Sequence, residues 1–258
     1  MNTQITKDFK DIIYHEFGIN FSVEKNFLLE CKIKRLIQKE EYKSIEDFYK
    51  IIKSGEKNSM EILIKYITTN HTFFFREKDH LDKLSALILK STIKCPVIWC
   101  AASSSGEEVY SIIISLLEND IKNFLIIASD INNNVLQKMH KGIYNIGRLF
   151  ETSPSIKAKY FKKIDDTHYQ IRPDLRNFIS IKKINLINPM YFVSQFDYIF
   201  CKNVLIYFDS ETQKKAIKNI MVNLKVGGFL FIGHTETLLN TKMNVEKESN
   251  SVYKYLGA

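Results

Sequence analysis

The chain has 258 residues, and 37 Lys and Arg against 29 Asp and Glu leave a formal net charge of +8. A hydrophobic content of 45% is enough for a sizeable core and excludes a disordered chain, while only 9 Gly and 4 Pro exclude collagen-like and low-complexity character. The charge favours an acidic partner, whether nucleic acid, anionic lipid or an acidic protein surface, and does not choose among them.

The length suits one large domain, or a small one joined to a larger one. The opening residues, 1–11, are polar and lack the apolar centre of a signal peptide. No apolar run approaches the roughly 18 residues of a membrane helix. Cys31, Cys95, Cys100 and Cys201 form no metal-binding pair of pairs. A soluble cytoplasmic protein with reduced thiols, no metal and no membrane insertion is the expectation.

The first 90 residues read as helices. Phe27, Leu28, Cys31, Ile33, Leu36 and Ile37 recur near the helical period, with Lys25, Lys32, Lys34, Arg35 and Lys39 between them. Ser44 and Asp47 predict a capping box for a helix through Phe48, Ile51 and Ile52, which Ser54-Gly55 closes. A third helical run passes through Ile62, Leu63, Tyr66 and Ile67. Beyond Cys95-Pro96, residues 97–102 form a short two-sided apolar run, as a buried parallel strand requires. A turn at 103–106 leads into a helix from Glu107 to Leu117. Residues 124–128 are the next strand, ending in Ser129-Asp130, and a helix through Val135, Leu136 and Met139 follows. Strand and helix alternating in this way predict a doubly wound α/β sheet.

From Gly142 to Asp174 the rhythm breaks, which predicts a small inserted antiparallel subdomain. It resumes at 178–181, followed by Asn185-Leu186, and residues 196–200 form a further buried strand. Ser210 with Gln213 predicts the cap of a helix through Ala216, Ile217, Ile220, Met221 and Leu224, ended by Gly227-Gly228. Strands at 229–232 and 251–256 complete the pattern.

In an open α/β sheet, ligands sit at the carboxyl ends of strands, beside the point where strand order reverses. The first such end here reads A-A-S-S-S-G-E-E over residues 101–108. Small residues let the backbone approach a ligand, and Gly106 can take a left-handed turn. The G-x-G-x-x-G of pyrophosphate binding is absent, and Glu107 and Glu108 would repel phosphate. These acids suit a ligand carrying an ammonium, or simply the positive end of a helix dipole. Asp130 ends the second strand, where a carboxylate can accept from both hydroxyls of a ribose, although Asp is also a common helix cap. Together they point to a nucleoside without phosphate, and S-adenosylmethionine fits. Two further runs stand out. T-T-N-H-T-F-F-F-R-E at 68–77 is too densely polar and aromatic for a core helix, and C-K-N-V-L-I-Y-F at 201–208 carries polar groups at a strand end.

These runs, with A-S-D-I, L-Q-K-M-H-K-G-I-Y and G-G-F-L-F-I-G-H-T-E, occur in the order seen in the CheR-type chemotaxis receptor methyltransferases. The resemblance covers essentially the whole chain. It implies an all-α N-terminal domain at 1–75 and a doubly wound, mostly parallel, Rossmann-like S-adenosylmethionine methyltransferase domain at 76–258, with an antiparallel β-subdomain inserted at about 155–178. It also implies methylation of glutamate side chains on chemoreceptor cytoplasmic helices, with S-adenosylhomocysteine as product. By the same resemblance Asn70, Thr72 and Arg76 line the cofactor and reacting centre, and Glu107 contacts the cofactor from the glycine turn. Asp130 would hold the ribose, and Asn185 and Leu186 would flank the adenine. Cys201, Lys202 and Asn203 would line the cofactor, and Tyr207 would face the transfer site. A same-fold enzyme acting on another protein or on nucleic acid is the alternative.

The chemistry suits these residue types. A glutamate is already ionised at neutral pH, with a reference pKa of about 4.3, so no general base is required. Arg76 is expected to orient the incoming carboxylate or the cofactor's own, and Tyr207 to hydrogen-bond near the methyl group. His71 and His234 are expected to be structural or pocket-lining. Lys202 stands where the family commonly has Arg, which reduces a bidentate contact to a point charge. Receptor-tethered members carry a glycine-containing insertion in the β-subdomain, whereas residues 160–169 contain no glycine. Independence from a receptor-tail pentapeptide is therefore expected. Asn188-Pro189-Met190-Tyr191 resembles the N-P-P-Y box of nucleobase amino-methyltransferases, but it precedes a predicted strand instead of ending one, so a turn and no nucleic-acid partner are expected. A monomer is expected to meet acidic receptor helices through its Lys-rich helix, with Lys32, Lys34 and Arg35 as contacts.

Overall fold

The computed structural model describes residues 3–56, 58–238 and 243–257. Four helices come first: α1 (Thr3–Phe17), α2 (Asn26–Lys39), α3 (Ile45–Lys53) and α4 (Ser59–Ile67). Their apolar stripes close on one core in which Phe9, Ile13, Leu29, Ile33, Leu36, Phe48 and Leu63 are fully buried. Ser44 caps α3 as its spacing predicts, its hydroxyl accepting from the Asp47 amide at 3.0 Å. On α2 the buried face differs from expectation. Phe27 (77% exposed) and Cys31 turn outward, Leu28 lies off the helical core on the cavity side, and Leu29, Ile33 and Leu36 carry the core. Two overlapping stripes fit the helical period, and packing against α4 selects the second.

After α5 (Lys78–Lys90) the chain enters a seven-stranded sheet. Its parallel strands are β1 (Val97–Ala101), β2 (Leu125–Asp130), β6 (Ile179–Lys183), β7 (Phe196–Cys201) and β8 (Leu224–Ile232). The antiparallel strands β9 (Val245–Ser249) and β10 (Val252–Tyr255) close one edge, giving the order β6-β2-β1-β7-β8-β10-β9. The order reverses at β1, which lies between β2 and β7. Register sets Ala101 beside Ser129 and Cys201, and Cys201 beside Ile232, so these strands end at one level. Helices α6 (Glu107–Glu118), α7 (Asn133–Lys141) and α9 (Ser210–Met221) cover the sheet faces, which are apolar on both sides.

A smaller sheet, ordered β3-β5-β4, is built from β3 (Ile143–Asn145), β4 (Phe161–Lys163) and β5 (His168–Ile171), all antiparallel. Helix α8 (Pro154–Tyr160) runs between its first two strands in the chain. Its first strand, β3, lies upstream of residue 155. Two local expectations are corrected. The cap of α9 is Asp209, whose carboxylate accepts from the Thr212 amide at 2.8 Å, and Ser210 is the first helical residue. Gly227 and Gly228 lie inside β8 instead of closing α9. A Cβ at Gly228 would stand 2.8 Å from the Asp197 carbonyl oxygen, so glycine is what lets β8 approach β7 there. Among the described residues no helix is long and apolar enough to cross a membrane.

Candidate active site

The level strand ends and the helical layer enclose a cavity of about 360 Å³, within the size range of small-molecule sites. Asn70, Thr72 and Arg76 reach its wall from the segment joining α4 to α5, and Asp130 from the end of β2. Asn185 and Leu186 come from the segment after β6, and Lys202, Asn203 and Tyr207 from the segment after β7. The expected residues Glu107 and Cys201 are not brought to this wall. Glu107 is 1% exposed, accepts from the Ser105 hydroxyl at 2.7 Å and lies 3.8 Å from Arg148 Nε. Its neighbour Glu108 faces the cavity instead. Cys201 is fully buried in β7, and burial pushes its thiol well above the ordinary range, which makes it inert.

Backbone strain concentrates here. Phe75 (φ 62°), Glu77 (φ 53°), Ala102 (φ 57°), Ser104 (φ 50°) and Asn203 (φ 57°) are non-glycine residues in the left-handed region, and all lie on or beside the wall. Such positions cost about 1–3 kcal/mol each and persist only where surrounding contacts enforce them.

Asp130 shows how the wall is prepared. The residue is 7% exposed, and its carboxylate accepts from the Ser104 and Asn132 amides, each at 2.9 Å. Burial raises its pKa, and those amides only partly offset the effect. Two amides use two of about four lone-pair sites, leaving acceptors for further donors from the cavity. A vicinal diol, such as that of a ribose, fits this chemistry.

Lys202 carries a buried charge. Its Nζ lies 2.5 Å from Glu108 Oε1 and 3.3 Å from Glu77 Oε2, with its side chain 2% exposed. Burial alone would lower its pKa, but the two carboxylates more than reverse this and hold it above the ordinary lysine value. Arg76 is held from the other side, with Nη1 donating to the His71 carbonyl at 3.1 Å and the guanidinium over the Phe73 ring at 5.9 Å. His71 lines the cavity; His234 does not.

Sequence reasoning missed Glu236. Its buried carboxylate accepts from three backbone amides, those of Asn203 at 2.8 Å, Leu205 at 2.8 Å and Gly233 at 2.7 Å. It thereby clamps the strained Asn203 turn to the end of β8. Burial raises its pKa despite these amides. The signal was present in G-H-T-E, whose glycine leaves room for these side chains: a Cβ at Gly233 would lie 2.4 Å from Asn203 Nδ2 and 2.9 Å from Glu236 Oε2.

The helical layer closes the cavity through specific ties. Asn185 Nδ2 donates to the Glu16 carbonyl at 2.8 Å, and the Asn20 amide to the Tyr207 carbonyl at 2.9 Å. Lys32 is corrected from a surface contact to a tie of this kind. It is partly buried, and its Nζ donates to the Ile67 carbonyl at 2.7 Å and Thr69 Oγ1 at 2.8 Å, securing the end of α4. Lys34 and Arg35 remain exposed. Asn188, Pro189 and Tyr191 are exposed ahead of β7 and take no part in the cavity.

Residues 70–254 match the profile of the CheR methyltransferase SAM-binding domain, and residues 6–68 that of the CheR methyltransferase all-alpha domain. The chain belongs to the CheR methyltransferase family. Similar family proteins include a chemotaxis protein methyltransferase of Borreliella burgdorferi, 36% identical over 98% of this chain and 96% of the relative. One from Salmonella typhimurium is 34% identical over 94% of this chain and 86% of that protein. One from Escherichia coli is 30% identical, with 94% and 87% covered. The family's cofactor is S-adenosylmethionine, and the cavity fits it: an acceptor set at Asp130 for a ribose, and polar, charged and apolar walls around it.

Proposed function

We propose that this methyltransferase modifies glutamate side chains on the cytoplasmic helices of chemoreceptors, forming methyl esters. Support comes from membership of the family together with the prepared carboxylate of Asp130 in a cavity shared by sheet and helical layer. Bound S-adenosylmethionine supplies a methyl group already activated by its sulfonium. Asp130 would hold the ribose hydroxyls, with Asn185 and Leu186 beside the base. Glu108, already matched by Lys202, is the acid on the wall that suits an ammonium.

Arg76 orients a carboxylate at the mouth, and Tyr207 lines the path of approach. The cofactor would supply a methyl carbon open to attack by the glutamate oxygen, with the electrons of the carbon–sulfur bond left on sulfur. No proton changes hands, so the protein's work is alignment and exclusion of water. Arg76→Ala and Tyr207→Phe are expected to lower turnover at saturating cofactor.

Residues 164–167 join β4 to β5 in a short turn, in which Asp165 accepts from the Thr167 and His168 amides. Recognition independent of a tail pentapeptide is part of the proposal. The deciding experiment incubates the enzyme and labelled cofactor with receptor cytoplasmic fragments, the same fragments with Glu→Gln substitutions, and DNA. Label on the fragments that disappears with the substitutions is expected. Label on DNA, or label unaffected by them, would overturn the proposal.

A further inference from the structure

We propose that Glu77, His80 and His234 form a divalent-metal site of the two-histidine, one-carboxylate type, suited to Zn²⁺. Glu77 immediately precedes α5 and His80 lies in its first turn, while His234 follows β8. One ligand atom from each lies within 4.8 Å of the other two. None of the four cysteines takes part.

The second observation concerns an unpartnered atom. His80 is 1% exposed, yet its Nδ1 has no hydrogen-bond partner; Glu77 Oε2 lies 3.4 Å away and is itself paired with Lys202 Nζ at 3.3 Å. The other ring nitrogen, Nε2, is 3.3 Å from the Asn250 carbonyl oxygen, which can only accept. A neutral ring therefore places its proton on Nε2 and turns the Nδ1 lone pair toward the carboxylate. The Nδ1 lone pair is then left without a donor in a buried site, beside a carboxylate oxygen that also pairs with Lys202.

The geometry suits a metal. At Zn–N and Zn–O lengths of about 2.0–2.2 Å, tetrahedral ligand atoms lie about 3.3–3.6 Å apart; His80 Nδ1 and Glu77 Oε2 are 3.4 Å apart. His80 also resembles a metal ligand in being oriented through its second nitrogen by a backbone carbonyl. His234 is 35% exposed, so it has room to close the remaining distance and leaves one position for water. The surrounding charge is favourable. Lys202 and Arg76, the latter with Nε 3.9 Å from Glu77 Oε1, are the nearby cations, against the carboxylates of Glu77, Glu108 and Asp79, the last of which lies 3.1 Å from His234 Nε2. A metal here would join the start of α5 to the end of β8, behind the Lys202 wall of the cavity.

The test titrates the metal-free full chain with Zn²⁺, with Co²⁺ as a spectroscopic probe. One equivalent should bind, Co²⁺ should give the visible absorption of tetrahedral coordination, and Zn²⁺ should raise the melting temperature. His234→Ala changes a part-exposed side chain and should fold as the parent, with Zn²⁺ affinity reduced at least about tenfold. Cys31→Ser should leave binding unchanged. Absence of saturable binding, or binding that survives His234→Ala, would overturn the proposal. Because the readout is metal binding, it is independent of the methyl acceptor.

Discussion

At the scale of single residues, the site depends on charges held where water cannot compensate them. Asp130 has a folded-state pKa raised by burial. Its protonated form is therefore favoured in the folded protein, and its contribution to stability is present below the unfolded pKa and lost as pH rises through the folded value. Cofactor binding has the opposite dependence, because a protonated Asp130 is a poorer double acceptor. S-adenosylhomocysteine affinity should fall on acidification at a pH above the ordinary aspartate range, as calorimetry across pH would record. Asp130→Asn should flatten that dependence. Lys202 gives a stability prediction. Replacing it by Met leaves Glu77 and Glu108 without their shared cation, so unfolding in urea should show a loss of about 3–5 kcal/mol.

At the scale of elements, the regular strands were legible because β1, β2 and β7 are buried on both faces and read as apolar runs. Helix α3 was legible from its cap. Helix α2 was harder, since Phe27 and Leu28 fit the period as well as Leu29 does, and only tertiary packing separates the two faces. Gly227-Gly228 suggested a stop, because sequence does not reveal how closely β7 passes. Most of the wall residues were legible from motifs. Glu236 does not line the wall; its motif G-H-T-E was visible but its clamping role was not, because a carboxylate that accepts only backbone amides leaves no pattern in side-chain types. Its role gives a prediction for the loop it holds. Gly233→Ala should force Asn203 from its position, costing about 1–3 kcal/mol of stability and weakening S-adenosylmethionine binding. Glu236→Gln should weaken cofactor binding with a smaller steric disturbance, since one acceptor oxygen becomes a donor facing amides. Equal cofactor affinity in both variants and the parent would remove the clamp from the mechanism.

At the scale of the whole molecule, the surplus of eight positive charges acts through position. Lys32 belongs to the interior ties, whereas Lys34 and Arg35 are free to meet an acidic partner. Charge reversal at Lys34 and Arg35 should therefore slow receptor methylation and leave cofactor affinity intact, while Lys32→Glu should impair both. Paired methylation kinetics and cofactor calorimetry would separate the two effects.

The central claim concerns the bond that is made, and its chemistry distinguishes a glutamate ester from methylated nitrogen. Receptor fragments labelled by the enzyme should release volatile labelled methanol on mild alkali, in proportion to the label incorporated. Label that withstands alkali would mean methylation of another group and would contradict the assignment.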